Sequence, residues 1–472
     1  MTPNYPLNSR TSPVRMMVWC ASILFILEPT MRSIGKEVDE STVLSTALLP
    51  GFWLPDLGLL LPIGFAFNEL RARASRSSTL KILFLIFAAI ATGSGFLHRN
   101  NLTYFVADVR IFIACVTGYS LMLLLPAQRT VVSRCVFGLS AANVLLSLTN
   151  LAMDPSASIG TEKAITTSFG FTSSTIAVGL LGPSLVFAVF ARRKLVLLAA
   201  GLTTGVAVTT SMFIMQTRTL TATLLVGAGC SFLSFVKFSR QGSMRAIMPV
   251  LGVMVVMGCV LLTVAVSPWG AQRLPEFFAR FGEGGALFAS DKNWLQRVDE
   301  LERARASMGS IELVVGSGFG GVTSTPDAYG DYATSLHIGI LTIPWKMGAP
   351  IFFAVLAGII VVFRKYLKAL LGSNRLTRLP VNLAILVIGP GLFANIFCSC
   401  FSGGWSRESL LAMGFLYGFW ERCNWGEFGG ELAGPGISPF DRRAAYSRRR
   451  TQLRNEHAHP QESTPAPLMG PQ

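Results

Sequence analysis

The chain has 472 residues, a mean hydropathy of +0.52 and only 14% charged residues, against about 25% in a soluble domain. So little charge cannot clothe one large soluble core, and the composition excludes a single soluble globular domain. The formal net charge of +15 would point to nucleic acid in a soluble protein. Here the excess sits in short connectors between apolar runs and no DNA- or RNA-binding motif stands out, so nucleic acid is not an expected partner.

The apolar runs, in chain order, are Met16–Thr30, Val43–Phe67, Leu80–Leu97, Tyr104–Leu125, Val131–Leu148 and Ser174–Phe190, then Val196–Ile214, Leu220–Phe235, Ile247–Val266, Ile340–Phe363, Val381–Phe397 and Leu410–Trp420. Most match the length a bilayer requires, which predicts an all-α polytopic membrane protein with about twelve transmembrane helices. Arg10 and Arg15 precede the first run, but Glu28 and Pro29 stand where a signal peptidase would need small residues, so this run is read as a retained helix. Pro50 and Pro55 interrupt the second, predicting a kink or partial re-entry.

Lysine and arginine set the orientation. Arg71, Arg73, Arg76 and Lys81, then Arg192, Arg193 and Lys194, then Lys237, Arg240 and Arg245, then Arg364, Lys365, Lys368, Arg375 and Arg378 fall on one side of a serpentine. They share it with Arg10, Arg15 and the arginines of the C-terminal tail, and that side is assigned to the cytoplasm. The predicted organisation is a cytoplasmic N-terminus (1–15), nine helices (16–266), one long periplasmic loop (267–336), three helices (337–420) and a basic disordered cytoplasmic tail (421–472). Within the loop, Trp294, Val298, Leu301, Met308 and Ile311 recur at helical spacing, predicting an amphipathic helix over Trp294–Val314.

Eight cysteines are present and none lies in the loop, so neither a disulfide framework nor a zinc ribbon is expected. Four histidines occur: His98, His337, His457 and His459. His337 stands where the loop meets the tenth helix, in reach of water and a lipid headgroup. An imidazole there is a candidate general base, or simply an interfacial polar residue. Arg218 ends a short external turn that needs no arginine for topology. Arg297 lies beside the apolar face of the loop helix and either faces the membrane or pairs with a neighbour such as Glu300 or Glu302. Asp108 and Arg110, near the outer end of the fourth helix, are functional suspects or partners of each other.

The loop contains no DxD, HExxH, GxSxG or P-loop motif and no Cys/His cluster. What remains is arginine with one histidine on the outer face. Guanidinium groups can hold a lipid pyrophosphate in bidentate fashion without a metal, and a histidine can take the proton of an attacking sugar hydroxyl.

Several motifs resemble the O-antigen ligase and O-antigen polymerase superfamily of bacterial envelope glycosyltransferases. They are Gly316-Ser-Gly318-Phe-Gly320 near the loop's end, His337 opening a helix with Gly348 further along it, Thr217-Arg218-Thr219-Leu220 before a membrane helix, and the loop arginine Arg297. Ile338 follows the histidine where the family has Asn or Ser, Lys346 stands where an acidic residue is common, and no tryptophan follows Arg297 at the usual distance. The resemblance implies a GT-C-like inner-membrane enzyme that moves a glycan from undecaprenyl pyrophosphate to a sugar hydroxyl, as polymerase or ligase, with inversion and without metal or cofactor. It implies His337 as base or acceptor-orienting residue, Arg218 and Arg297 as pyrophosphate ligands, and Gly316, Gly318 and Gly320 as the turn that delivers the loop; Arg110, by its place near the outer end of the fourth helix, is a further candidate for the pyrophosphate. Its partners would be the lipid-linked donor, a glycan or lipid-core acceptor, membrane lipid, and chain-length regulator and export proteins. The rival expectations are a transporter or flippase of a lipid-linked sugar or anion, and a scaffold in an envelope complex.

Overall fold

The computed structural model describes residues 13–32, 47–49, 52–53, 56–74, 79–126, 194–209, 218–239, 247–268, 292–323, 338–372, 380–401 and 407–425. It also describes scattered positions at 128–141 and 270–278, together with Leu336, Glu427 and Phe428. These residues are helical apart from one short antiparallel ribbon, β1 (Ala47–Leu49) and β2 (Phe52–Trp53). The helices are α1 (Pro13–Arg32), α2 (Leu57–Phe65), α3 (Phe67–Ala74), α4 (Thr79–Leu97), α5 (Leu102–Leu124), α6 (Lys194–Thr209), α7 (Arg218–Ser239) and α8 (Ile247–Val266). They continue with α9 (Lys292–Ala306), α10 (Ser310–Val315), α11 (Gly339–Met347), α12 (Ala349–Leu371), α13 (Pro380–Phe401) and α14 (Arg407–Asn424).

Two of the described helices, α5 and α12, are long and apolar enough to cross a membrane. Their surroundings differ. The apolar window of α5 is 56% buried and lies at the centre of the main core, whereas that of α12 is 11% buried. A core helix of a soluble protein would be mostly buried. Instead α12 exposes Phe353, Ile360, Val361 and Phe363, a surface that lipid tails can cover and water cannot favourably wet.

Among the described residues the most extensive helix packing is that of α5 against α14. Gly414 and Gly418 are spaced GxxxG on α14, and Gly118 answers from α5. A Cβ at Gly118 would overlap the carbonyl of Leu411, and one at Gly414 would overlap that of Cys115. Such close backbone approach is how helices associate where lipid removes the hydrophobic drive between them.

Contacts sort to the two ends of α5. Around its N-terminal end lie Asp56, the α4–α5 turn, the glycine segment 316–321 and the α11–α12 junction. Around its C-terminal end lie Arg73, Lys81, Glu421, Arg422 and Glu427. There Arg422 donates to the carbonyls of Met122 at 2.7 Å and Leu125 at 2.8 Å, satisfying acceptors that a helix end leaves open.

The second apolar run is interrupted, as its prolines predict: β1 and β2 precede α2, which begins only at Leu57, behind Pro55, because proline cannot donate within a helix interior. Three sequence expectations change. The tenth run is broken at Gly348 (φ 86°) into α11 and α12. The loop helix is two pieces, α9 and α10, and the buried side of α9 carries Glu300 and Ala304 while Leu301 and, on α10, Ile311 are exposed. Finally, the ordered chain passes the expected tail boundary at 421: α14 runs to Asn424 and Phe428 is buried against Phe419, held by the Arg422–Glu427 and Arg73–Glu427 pairs.

Candidate functional site

The segment Gly316–Gly321 crosses the N-terminal end of α5. Gly316, Gly318 and Gly320 adopt φ of 78°, 76° and 77°, values that L side chains rarely reach. Space alone also demands glycine at all three. A Cβ on Gly316 would overlap the backbone of Lys346 and Met347, one on Gly318 the backbone of Ser94 and Gly95, and one on Gly320 the backbone of Phe105. Between them, Phe319 drops into a pocket of Ala91, Phe112, Met347 and Ile351 and is 2% exposed.

Nearly every backbone polar group of the turn has a partner. Ser317 N–H donates to Trp345 O (2.8 Å), Gly318 N–H to Lys346 O (2.9 Å) and Phe319 N–H to Ala91 O (2.9 Å). Ser94 Oγ donates to Gly316 O at 2.7 Å, and Asn100 Nδ2 to the carbonyls of Ser317 (2.9 Å) and Phe319 (2.8 Å). A turn bonded to three helices at once is a fixed element.

Its far end meets a buried ion pair. Lys346 Nζ lies 2.7 Å from Asp108 Oδ2. The lysine is fully buried and Asp108 is 4% exposed. Asp108 Oδ2 also accepts Gly320 N–H at 2.7 Å, and Lys346 Nζ donates to Gly321 O at 2.6 Å. Buried charges persist when each has a counter-charge and further hydrogen bonds, as here. The pairing of Asp108 with Arg110 that the sequence offered is not formed: Asp108 pairs with Lys346, a role of the lysine that the sequence did not show.

Beside the turn, His98 Nε2 faces Glu312 Oε1 at 3.1 Å and its Nδ1 faces Ser94 O at 2.8 Å. The carboxyl of Glu312 is held below the usual carboxylate range, chiefly by its own backbone N–H and next by His98. Arg110, half-buried, places Nη1 3.1 Å from Asp56 Oδ2, so its partner comes from the start of α2.

Arg297, half-buried, shares one side of α9 with Glu300 and Ala304, the spacing of consecutive helical turns. Ala304 and Met308 pack on Leu336, Trp345 and Leu341, and Leu336 N–H donates to Thr342 Oγ1 at 3.1 Å. The side of α9 that carries Arg297 therefore leads, two turns on, to the start of α11. His337 itself lies outside the described residues, as does the side chain of Arg218, whose backbone opens α7. Helices α7 and α12 meet near their C-terminal ends: Ser234 Oγ is 2.9 Å from Tyr366 Oη, and Lys237 Nζ donates to Gly372 O.

Among the described residues no group of three or more His, Cys, Asp or Glu is placed to hold a metal ion. The fold and site thus define an all-helical protein with membrane-length apolar helices and a rigid glycine turn seated on a buried ion pair. Comparison with protein-family models, with curated proteins and with solved structures gives no match.

Proposed function

We propose that the chain is a multi-pass enzyme of the bacterial inner membrane, with about twelve spans, a GT-C-like arrangement, a periplasmic loop and both termini in the cytoplasm. It transfers a glycan from undecaprenyl pyrophosphate to a sugar hydroxyl, building a surface polysaccharide as polymerase or ligase. The two-sided sorting of contacts about α5 supports the orientation: Arg73, Lys81 and Arg422 gather at one end, and the loop segment at the other.

The observation that carries the reading is the meeting of loop and helix at Leu336. The side of α9 that bears Arg297 packs, through Ala304, on the residue just before His337. In the proposed reaction the acceptor hydroxyl oxygen bonds to the anomeric carbon as the bond from that carbon to the pyrophosphate oxygen breaks. The bonding pair leaves with the pyrophosphate, whose charge Arg218, Arg297 and Arg110 would hold. His337 would take the hydroxyl proton. Attack from the side opposite the leaving group inverts the anomeric centre.

The test is the surface-glycan profile of a strain carrying His337→Ala or Arg218→Ala at normal membrane abundance. Loss of long polymer is expected. A parental profile in both variants would remove the site assignment, and substrate entry into vesicles without glycosidic bond formation would replace the enzyme by a transporter. In a deletion strain, single repeat units on the outer lipid mark a polymerase, and bare lipid core with accumulated lipid-linked polymer marks a ligase.

A further inference from the structure

The Asp108–Lys346 pair is more than two neutralising charges, because each partner also holds the glycine turn. On one side the carboxylate of Asp108, from α5, accepts Gly320 N–H; on the other the ammonium of Lys346, from α11, donates to Gly321 O. The polarity is matched to direction: an acceptor faces the N–H and a donor faces the C=O. Both groups are buried, and the ion pair closes the ring between them at 2.7 Å. The same lysine lies in the last turn of α11, the helix that begins two residues after His337, and its own carbonyl accepts Gly318 N–H. The turn, α5 and α11 therefore share one joint.

We propose that Asp108 and Lys346 form a directional clamp that seats the glycine turn on α5 and sets the position of α11. They are positioning residues for the outer-end chemistry, a role that rests on the glycosyl-transfer reading, whereas the clamp itself does not. A plain ion pair would tolerate exchange of its partners. A directional clamp does not: with the charges exchanged, a lysine ammonium meets Gly320 N–H and a carboxylate meets Gly321 O, so each polar group of the turn faces its own kind. A neutral pair that keeps donor and acceptor in place retains both bonds.

The test places a reporter in the turn. Ser317 is half-buried, with Oγ donating to Trp345 O at 3.1 Å. In a Ser317→Cys parent, labelling by a membrane-impermeant maleimide is followed on spheroplasts, with the chain lacking that substitution as background. Adding Lys346→Met is expected to speed labelling about tenfold through local opening. The exchange Asp108→Lys/Lys346→Asp is expected to label as fast, and Asp108→Asn/Lys346→Gln to stay near the parent rate. Protection restored by the exchange, parental labelling in Lys346→Met, or fast labelling in the neutral pair would each overturn the clamp. If Lys346→Met does not accumulate in the membrane, the two double variants, which keep the net charge, decide alone. Long surface polymer should be lost in Lys346→Met and in the exchange, and recovered in the neutral pair at equal abundance. A glycan profile unchanged even by deletion of the whole gene sinks the glycosyl-transfer reading, and the labelling still judges the clamp.

Discussion

The two ends of α5 both bury charge, but they do so differently. At the N-terminal end one carboxylate and one ammonium are each bound to each other and to a peptide group of the glycine turn. At the C-terminal end the charges bind chiefly one another. Glu421 lies 2.6 Å from Lys81, 3.7 Å from Arg73, an ion-pair distance too long for a hydrogen bond, and accepts from Tyr119 Oη. Glu427 bridges Arg73 and Arg422, and Trp425 stacks under Arg73 at 4.4 Å. The network is redundant, since removal of one member leaves others to redistribute. The clamp has no spare member. A redundant network suits an anchor that ties α3, α4, α5 and α14 together, and a directional pair suits a joint whose exact placement matters.

Three experiments break or sharpen that contrast. The largest effect is expected from Glu421→Gln, which strips the central carboxylate from Lys81, Arg73 and Tyr119. A buried pair broken on one side costs about 3–5 kcal/mol, and here the redundancy should hold the loss below the upper figure. It is read as a lower melting temperature in detergent with Ser317→Cys labelling unchanged; faster labelling would mean that the two ends are coupled. Next is Phe319→Ala, which empties the pocket under the turn at a cost of about 3 kcal/mol. It should raise Ser317→Cys labelling and leave the accessibility of Trp425 at the other end, read by quenching, as it was. The smallest effect is that of acid on the His98–Glu312 contact. Because the Glu312 carboxyl is depressed in the folded protein, its contribution is present above the usual carboxylate range and fades as pH falls through the lowered value. Turn labelling in the parent should therefore rise only below that range, and Glu312→Gln should abolish the pH response.

The apolar runs predicted several described helices closely: α4, α5, α6, α7, α8 and α13 begin within two residues of their runs. Hydrophobic continuity is a local signal, and helix formation in an apolar setting follows it directly. The glycine alternation at 316, 318 and 320 was equally legible, because positive φ is written into residue type. The GxxxG of α14 is written in the sequence, but the surface it meets is not. Its partner Gly118 lies nearly three hundred residues away in sequence.

Pairings of charge were not legible. On a helix, residues two apart do not face each other, so Asp108 and Arg110 turn to different partners: Lys346 on α11 and Asp56 before α2. The loop helix shows the same limit. Its apolar spacing pointed to Leu301 and Ile311, yet packing selected the side of Glu300 and Ala304, because what a helix buries depends on which surface it meets. The tail boundary failed likewise: nothing local in Arg422, Glu427 or Phe428 announces order, and contacts with α3 and α5 supply it.

Composition and periodicity by themselves determined an all-helical, apolar chain with basic connectors and a glycine turn before its tenth apolar run, because solvent preference and backbone freedom belong to each residue. Only the tertiary structure decided that the turn is seated on Asp108 and Lys346, that the Arg297 side of α9 leads to the start of α11, and that α14 closes on α5 through glycines. Those outcomes depend on which surfaces meet, and burial makes each meeting specific: a charge or a peptide group removed from water must find one partner of the right polarity.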